Sequence, residues 1–536
     1  MNAIELSLFV SRMESVCEEM GAVLKRTAFS PNIKDRLDFS CALFDAQGEL
    51  CAQAAHIPVH LGSMAFAMVD IINRFEWQEG DIVILNDPFL GGTHLPDVTV
   101  LQPVFSEQQL AAFVVNRAHH ANIGADTPGS MPNSSSLHEE GLIIAPQFLY
   151  RQGKLNQKLA TLLQSLCGQF PRPESLQDDR QIRAADFGGD IAAQLSALHT
   201  GKQRLKNLIG RLGYSAFQTA LVELNQYGEK LAAAALEKIP AGSYRFNDVM
   251  DDDGLGNKDL LINLSLKIDG KTIIADFQGT AAQARGNVNC PLSVTAAAVF
   301  YVFRCLMPEH TPACAGIFRR ISILAPEACL INAQYPAAVV AGNVETSSRI
   351  VDVVLGALQQ ALPDQIPAAS QGSMNNIAMG HYATEAGESS WDYYETLAGG
   401  MGAGPHGKGL SAVHTHMTNT LNTPVESLEL HYPLRILAYA IRTNSGGRGL
   451  HVGGDGLTRV YEFLSPTQLS ILSERRTHVP WGLAGGEAAL GGENILDANK
   501  LPGKCSRTVE AGQRLTIHTP GGGGWGKLIS SAAEFS

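Results

Sequence analysis

The sequence has no Cys-x-x-Cys pair, no Gly-x-Ser-x-Gly elbow, no bilayer-length apolar run and no excess of positive charge. Each absence excludes something. Nine cysteines are scattered singly, at Cys17, Cys41, Cys51, Cys167, Cys290, Cys305, Cys314, Cys329 and Cys505. An odd, unpaired set is neither a disulfide framework nor a zinc ribbon, and a reducing, cytoplasmic compartment is expected. Without an elbow serine, or a cysteine beside an obvious histidine partner, simple serine- or cysteine-hydrolase chemistry has no support. The most apolar run, Thr295 to Met307, is too short to cross a bilayer and carries Arg304. Glu5, Glu14, Glu18 and Glu19 interrupt the apolar residues at the N-terminus, which does not read as a signal peptide. Lys plus Arg number 40 against 52 Asp plus Glu, a formal net charge of -12. Partners of the nucleic-acid kind, or an anionic membrane surface, are therefore not expected.

What is present is a globular composition. Of 536 residues, 45% are hydrophobic and 17% charged, enough apolar material to bury a core without staples. At about 150 residues per domain this is three or four domains' worth of chain. Leu6, Phe9, Val10, Met13, Val16, Cys17, Met20, Val23 and Leu24 recur at helical steps, and the pattern stops before Pro31. Strand patterns follow: Cys41 to Phe44, Glu49 to Ala52, Asp81 to Leu85, then Val98 to Phe105 and Leu110 to Asn116 around a polar turn. Pro103 puts the fourth of these at a sheet edge or weakens it. Helical stripes return from Asp190 to Leu236, and a strand hairpin turns at Asp269-Gly270. Of 53 glycines, 24 lie from Gly399 onward, which predicts loop-rich β structure with tight turns. The expected fold class is α+β, a large multi-layer protein with mainly antiparallel sheets. The expected division is a metal-site domain over 1–188, a helical segment over 189–240, an α+β middle domain over 241–398 and a glycine-rich β region over 399–536.

The densest chemistry lies between Asn86 and His120. His94 and Asp97 stand just before one hairpin strand, and His119 and His120 just after its partner. Antiparallel pairing places Asp97 opposite roughly Ala118, so the two groups meet at the open end of one hairpin. Imidazole and carboxylate converging there suit a divalent metal such as Zn²⁺ or Mn²⁺. A satisfied structural cluster is the competing reading. Adjacent strand residues face opposite ways, so only one of His119 and His120 can ligate. His56 and His60 have helical spacing, but Pro58 between them argues against a helix and for structural roles. His414 and His416 share a face if their segment is a strand, lining a pocket or filling a polar core.

Nucleotide motifs fail on context. Gly402 to Gly407 matches G-x-G-x-x-G without an apolar strand before it or a helical stripe after it. Gly521 to Lys527 has Leu528 where a phosphate loop needs Ser or Thr. Asp251-Asp252-Asp253-Gly254 does not fit a calcium loop and reads as a turn.

Together, several stretches resemble the hydantoinase B/oxoprolinase family. They are Asn32 to Asp45, His56 to Met64, Asn86 to Asp97, Ala118 to Ala121, Glu139-Glu140-Gly141, Gly342 to Ser347, Gln371 to Asn376, His414 to Pro424 and Thr519 to Gly526. The resemblance implies a division of labour. An A-type subunit binds ATP with Mg²⁺ and phosphorylates the substrate, and a B-type subunit such as this one holds a divalent metal (Zn, Mn or Fe) and completes the reaction. Its metal ligands carry over onto His94, Asp97 and His119, with Asp38 as a further ligand. His120 and Glu139 are the expected catalytic groups, with Asn86, Asp87 and Glu140 around them. The implied activity is ATP-dependent ring opening of a cyclic amide (5-oxoproline, a hydantoin or a lactam) in a hetero-oligomer such as A2B2. The alternatives are the α-type subunit of an acetone-type carboxylase and a non-catalytic scaffold for the A subunit. Carboxylase chains of this type run longer, which favours the hydrolase.

Overall fold

A computed structural model describes residues 2–54, 56–166, 189–382 and 390–528; Cys167 lies outside them. The chain opens with α1 (Ala3–Thr27) and the short α2 (Pro31–Lys34). A first sheet region holds β1 (Phe39–Asp45), β2 (Leu50–Gln53), α3 (Pro58–Ile72), β3 (Ile82–Leu85), β4 (Asp97–Ser106), β5 (Gln109–His119), β6 (Gln147–Arg151) and β7 (Lys154–Leu155). Helices α4 (Gln157–Leu166), α5 (Gly189–Leu212) and α6 (Tyr214–Leu236) follow. Next come β8 (Gly242–Asp252), β9 (Lys258–Ile268), β10 (Ile273–Asp276), α7 (Leu292–Cys305), β11 (Ile321–Leu324) and α8 (Ser347–Leu358). The last part holds β12 (Asn376–His381), β13 (Trp391–Glu395), α9 (Val425–His431), β14 (Leu434–Arg442), β15 (Gly456–Phe463) and β16 (Thr467–Leu472). It ends with β17 (Glu493–Leu496), β18 (Asn499–Leu501), β19 (Lys504–Val509) and β20 (Arg514–His518). The fold is α+β with sheets that are antiparallel apart from the β10–β11 pair.

Helix α1 forms where its stripe predicts. Asn2 and Glu5 cap it reciprocally, each side chain accepting from the other's backbone N–H at 2.9 Å, while Lys25 and Arg26 sit in the last turn. Its buried face, Phe9, Met13, Val16, Cys17, Met20 and Leu24, lies against the seven-stranded sheet β2-β1-β5-β4-β3-β6-β7 and α5. Both faces of that sheet are covered. Along β1, Cys41 and Leu43 enter the core under α1, whereas Ala42 and Phe44 enter the one under α3. Two-sided burial explains why these strands read as continuous apolar runs rather than alternating ones.

The β4–β5 hairpin turns at Glu107 and Gln108, with φ of 51° and 64°, the left-handed pair that a two-residue turn requires. A register shift between Val104 and Phe105 moves the pairing by one residue, so Asp97 stands opposite His119 rather than Ala118. Pro103 does not make β4 an edge strand, since β4 lies between β5 and β3. It is tolerated because β3 pairs only with Thr99, Val100 and Leu101 and has ended before position 103.

The late glycines have a different purpose from the one expected. From Gly399 on, only Gly485, Gly512 and Gly526 have positive φ. Most of the others let backbones touch: a Cβ on Gly453 would lie 1.8 Å from the carbonyl oxygen of Gly522, and one on Gly402 would lie 1.9 Å from that of Ala368. Gly454 N–H donates to Met401 O at 2.8 Å, and Gly522 N–H to Gly454 O at 2.9 Å. Gly402 and Gly521 to Gly524 therefore belong to closely packed main chain, whereas Gly404 and Gly407 have open space around them; a separate small core holds Leu457, Tyr461, Phe463, Leu469 and Leu515. The acidic run at 251–253 is structural: Asp251 accepts from the backbone N–H groups of Arg476, Thr477 and His478.

Among the described residues no helix is long and apolar enough to cross a membrane, and eight cysteines are free thiols.

Candidate metal centre

The open end of the β4–β5 hairpin brings His94, Asp97 and His119 together, with one ligand-type atom of each within 4.8 Å of the others. All three are buried. Asp97 Oδ1 lies 3.1 Å from His94 Nε2 and 3.2 Å from His119 Nδ1. Its Oδ2 accepts from Thr93 Oγ1 at 2.6 Å and stands 3.1 Å from His60 Nε2 and 3.4 Å from Asn343 Nδ2. Asn86 holds the preceding loop, donating to Leu95 O and Leu142 O and accepting from Ile144 N–H. Asp87 caps the turn at Phe89. Ring stacking of Tyr394 on His119, with centroids 4.9 Å apart, closes one side.

These side chains fit a divalent cation. His94 Nδ1 is 3.2 Å from Val340 O, which can only accept, so Nδ1 carries a proton. A neutral His94 then points the Nε2 lone pair at an Asp97 oxygen, an opposition that a cation between them resolves. The Nε2 atoms of His94 and His119 are buried with no hydrogen-bond partner. Burial works against charge on His94, yet the Asp97 carboxylate raises its pKa above the ordinary value. Burial opposes ionisation of Asp97 too, but His60, His94 and His119 hold it well below the carboxylate range. On His119 burial wins, and its pKa falls.

Asp38 lies in the cleft lined by His60, His119, Asn343, Met374, Tyr394 and Met417, outside the tight trio. Its carboxylate is 3.8 Å from Arg36 Nη2 and 3.9 Å from His60 Nε2. His120 and Glu139, the expected catalytic groups, are not brought to the cluster. His120 turns to the other side of the strand end, where its Nε2 meets Gln194 Oε1 at 2.9 Å. Glu139 is exposed and accepts from the N–H and hydroxyl of Ser135, because the short turn at Leu137–Glu139 points it to solvent. Its neighbour Glu140 is the buried one. Glu140 Oε1 accepts from Ser134 and from the N–H groups of Val339 and Val340, and so grips the peptide whose carbonyl meets His94. Burial pushes its pKa up to about 7.

Sequence reasoning missed His60, Thr93 and Asn343. Pro58 does not block a helix; it starts one, at the first position of α3, where no N–H is needed. His60 thereby enters the site, while His56 accepts from Cys41 N–H. Asn343 comes from a single π-helical turn, Gly342–Thr346, in a stretch already noted in the sequence. His414 and His416 are not on a strand: His416 has φ 58° and lies 3.5 Å from Asp352, and His414 is half-buried, its ring nitrogens enclosed without partners.

Glu345, on the same π turn, accepts from Met374 N–H at 2.9 Å and Asn376 Nδ2 at 2.7 Å. Burial, then the Glu474 charge, lift its pKa to about 8. Its folded pKa is raised, so below the ordinary carboxylate range it is protonated in both states and adds no pH dependence. From there to about pH 8 the folded state binds the extra proton, and stability falls as pH rises. Glu345→Gln copies the neutral form. Urea midpoints of variant and parent should coincide near pH 4 and diverge in the variant's favour by pH 9; parallel curves would refute this assignment.

The fold and site define an α+β protein with a buried His–Asp–His constellation of metal-ligand type. The chain belongs to the hydantoinase B/oxoprolinase family, whose sequence profile matches residues 2–528. An uncharacterised protein of Methanocaldococcus jannaschii is 41% identical over 98% of this chain and 91% of its own length. The 5-oxoprolinase 1 of Arabidopsis thaliana is 39% identical over 98% of this chain, which spans only 42% of that longer protein. Among solved structures, an ATP-dependent caprolactamase from Pseudomonas jessenii superposes with a TM-score of 0.86 at 26% identity, covering 98% of this chain and 91% of its own. Acetone carboxylase shares the fold, with a TM-score of 0.83 at 17% identity over 98% of this chain and 76% of its own.

Proposed function

We propose that this chain is the B-type component of an ATP-dependent cyclic amide hydrolase, completing ring opening of a substrate that an A-type partner phosphorylates. The observation that carries this reading is the buried His94–Asp97–His119 trio with unpartnered imidazole nitrogens. His94, Asp97 and His119 would hold a divalent cation (Zn, Mn or Fe), and Asp38 would complete the set from across the cleft. Such a cation activates water and polarises oxygen. The chain's own residues do the rest. Asp97 and Glu140 orient the histidines, Tyr394 shields His119, and Met374, Met417 and Val344 restrict water in the cleft.

A separate ATP-binding A-type subunit is part of the proposal, in a hetero-oligomer such as A2B2. Two observations support it: the backbone at Gly402 and at Gly521 to Gly524 is packed against other main chain rather than open to phosphate, and the matched oxoprolinase is more than twice as long. Free thiols, six of the eight buried, suit a cytoplasmic setting.

The test mixes the chain with its A-type partner, ATP and Mg²⁺. Phosphate release is followed across 5-oxoproline, hydantoins and lactams, with and without bicarbonate, and products are identified by mass. Ring-opened acid formed without bicarbonate is the expected result. A product heavier by a carboxyl group, made only with bicarbonate, would move the protein to the carboxylases.

A further inference from the structure

The two oxygens of the Asp97 carboxylate have different neighbours. Oδ1 faces His94 and His119, whereas Oδ2 faces Thr93, His60 and Asn343. Thr93 and Asn343 are donors by chemistry. Whether His60 is a donor or a third imidazole ligand depends on its tautomer, and its surroundings settle that. Asp97 Oδ2, 3.1 Å from His60 Nε2, is a carboxylate oxygen that can only accept, while Ser40 Oγ, which accepts from Ile57 N–H at 3.2 Å, lies 3.3 Å from Nδ1 and can donate its hydroxyl proton there. With Nδ1 accepting, the proton of a neutral ring is on Nε2. That N–H points at Asp97 Oδ2, 3.1 Å away, with Asp38 Oδ1 at 3.9 Å. His60 is 1% exposed, in the first turn of α3, so its ring has one place to be.

We propose that His60, set by Ser40, is a positioning residue that loads Asp97 Oδ2 and so keeps Oδ1 turned toward a divalent cation at His94 and His119. The proposal deepens the metal-centre reading above and rests on it. His60 is a donor to the carboxylate and not a ligand. Groups of this kind typically change metal affinity by about 10- to 100-fold when removed.

The test uses the full chain, stripped of metal, and measures Co²⁺ and Zn²⁺ dissociation constants by chelator competition, together with the Co²⁺ visible spectrum. His60→Leu should weaken binding by about 10- to 100-fold, while thermal unfolding of the metal-free protein changes little. His60→Gln, which can place an N–H near the position of Nε2, should recover most of the affinity and keep the parent Co²⁺ spectrum. Ser40→Ala, which frees the tautomer, should lose affinity by a smaller factor. Affinity for His60→Leu within twofold of the parent overturns the proposal. So does a Co²⁺ spectrum in His60→Gln showing a lost nitrogen ligand, since His60 would then bind metal itself. If His60→Leu does not fold, the Gln and Ser40 variants decide. Failure of the parent chain to bind either metal overturns the metal-centre reading as well, and is thereby distinguished from failure of the His60 role alone.

Discussion

His94→Ala should abolish turnover in the reconstituted enzyme and leave the chain folded and bound to its partner. The ring has two jobs. Its Nδ1 meets Val340 O, and its Nε2 faces Asp97 Oδ1 across 3.1 Å. Removing it takes away one of three converging ligand groups and leaves Asp97 and His119 to hold a cation alone. Lewis-acid assistance in such centres is worth several kcal/mol. The expected fall in kcat is therefore on the order of 10³ or more, with bound metal falling in parallel. Circular dichroism and co-purification with the A-type partner provide the controls. Activity retained at the parent level would sink the catalytic role and favour a scaffold.

Arg475→Met should be the most destabilising of the substitutions considered. The Arg475 guanidinium is fully buried and donates to Asp248 on β8 at 2.9 Å and to Asp352 on α8 at 2.7 Å. Burial works against its charge, yet the two carboxylates hold it ionised. Burial opposes ionisation of the carboxylates in turn. Arg475 and Arg349 depress Asp248, and His416 and Arg475 depress Asp352. Methionine fills similar volume but takes from two buried carboxylates the cation they share. Removing one partner of a buried pair costs about 3–5 kcal/mol. The pH dependence follows from the shifts. In the parent, both acids have depressed pKa values, so their stabilisation is present above the ordinary aspartate range and is lost as pH falls through the folded pKa values. In the variant they lose that support and can take up protons, so the gap in urea midpoint between parent and variant should be widest near neutrality and narrow toward pH 4. A midpoint within error of the parent at pH 7 would show that the pair contributes nothing net.

Much of this was readable in the chain. The stripe from Leu6 to Leu24 could only be an amphipathic helix, because apolar residues at three- and four-residue steps make one face. The hairpin around Ser106 to Gln109, and with it the meeting of His94 and Asp97 with the adjacent pair His119 and His120, followed from strand pattern and turn chemistry, both local properties; the choice of His119 came with the family likeness. Stretches such as Asn86 to Asp97 and Thr519 to Gly526 carried the family likeness. The rest depended on contacts between distant segments. A bulge at Val104 and Phe105 set which residue faces Asp97. Pro58 read as a helix breaker until the start of α3 fell on it, and only that placement brought His60 to Asp97. Glu139 and Glu140 are indistinguishable as letters; one faces water and the other grips Val339 and Val340, some 200 residues away. The late glycines announced tight turns, but mostly serve to let main chains touch, since their missing Cβ atoms matter only against a second strand of backbone. Sequence by itself determined the elements and the chemical inventory, because propensity and periodicity act over a few residues. Tertiary structure alone decided which donors load which oxygen of Asp97, because hydrogen-bond direction over a few ångströms depends on packing that no local pattern encodes.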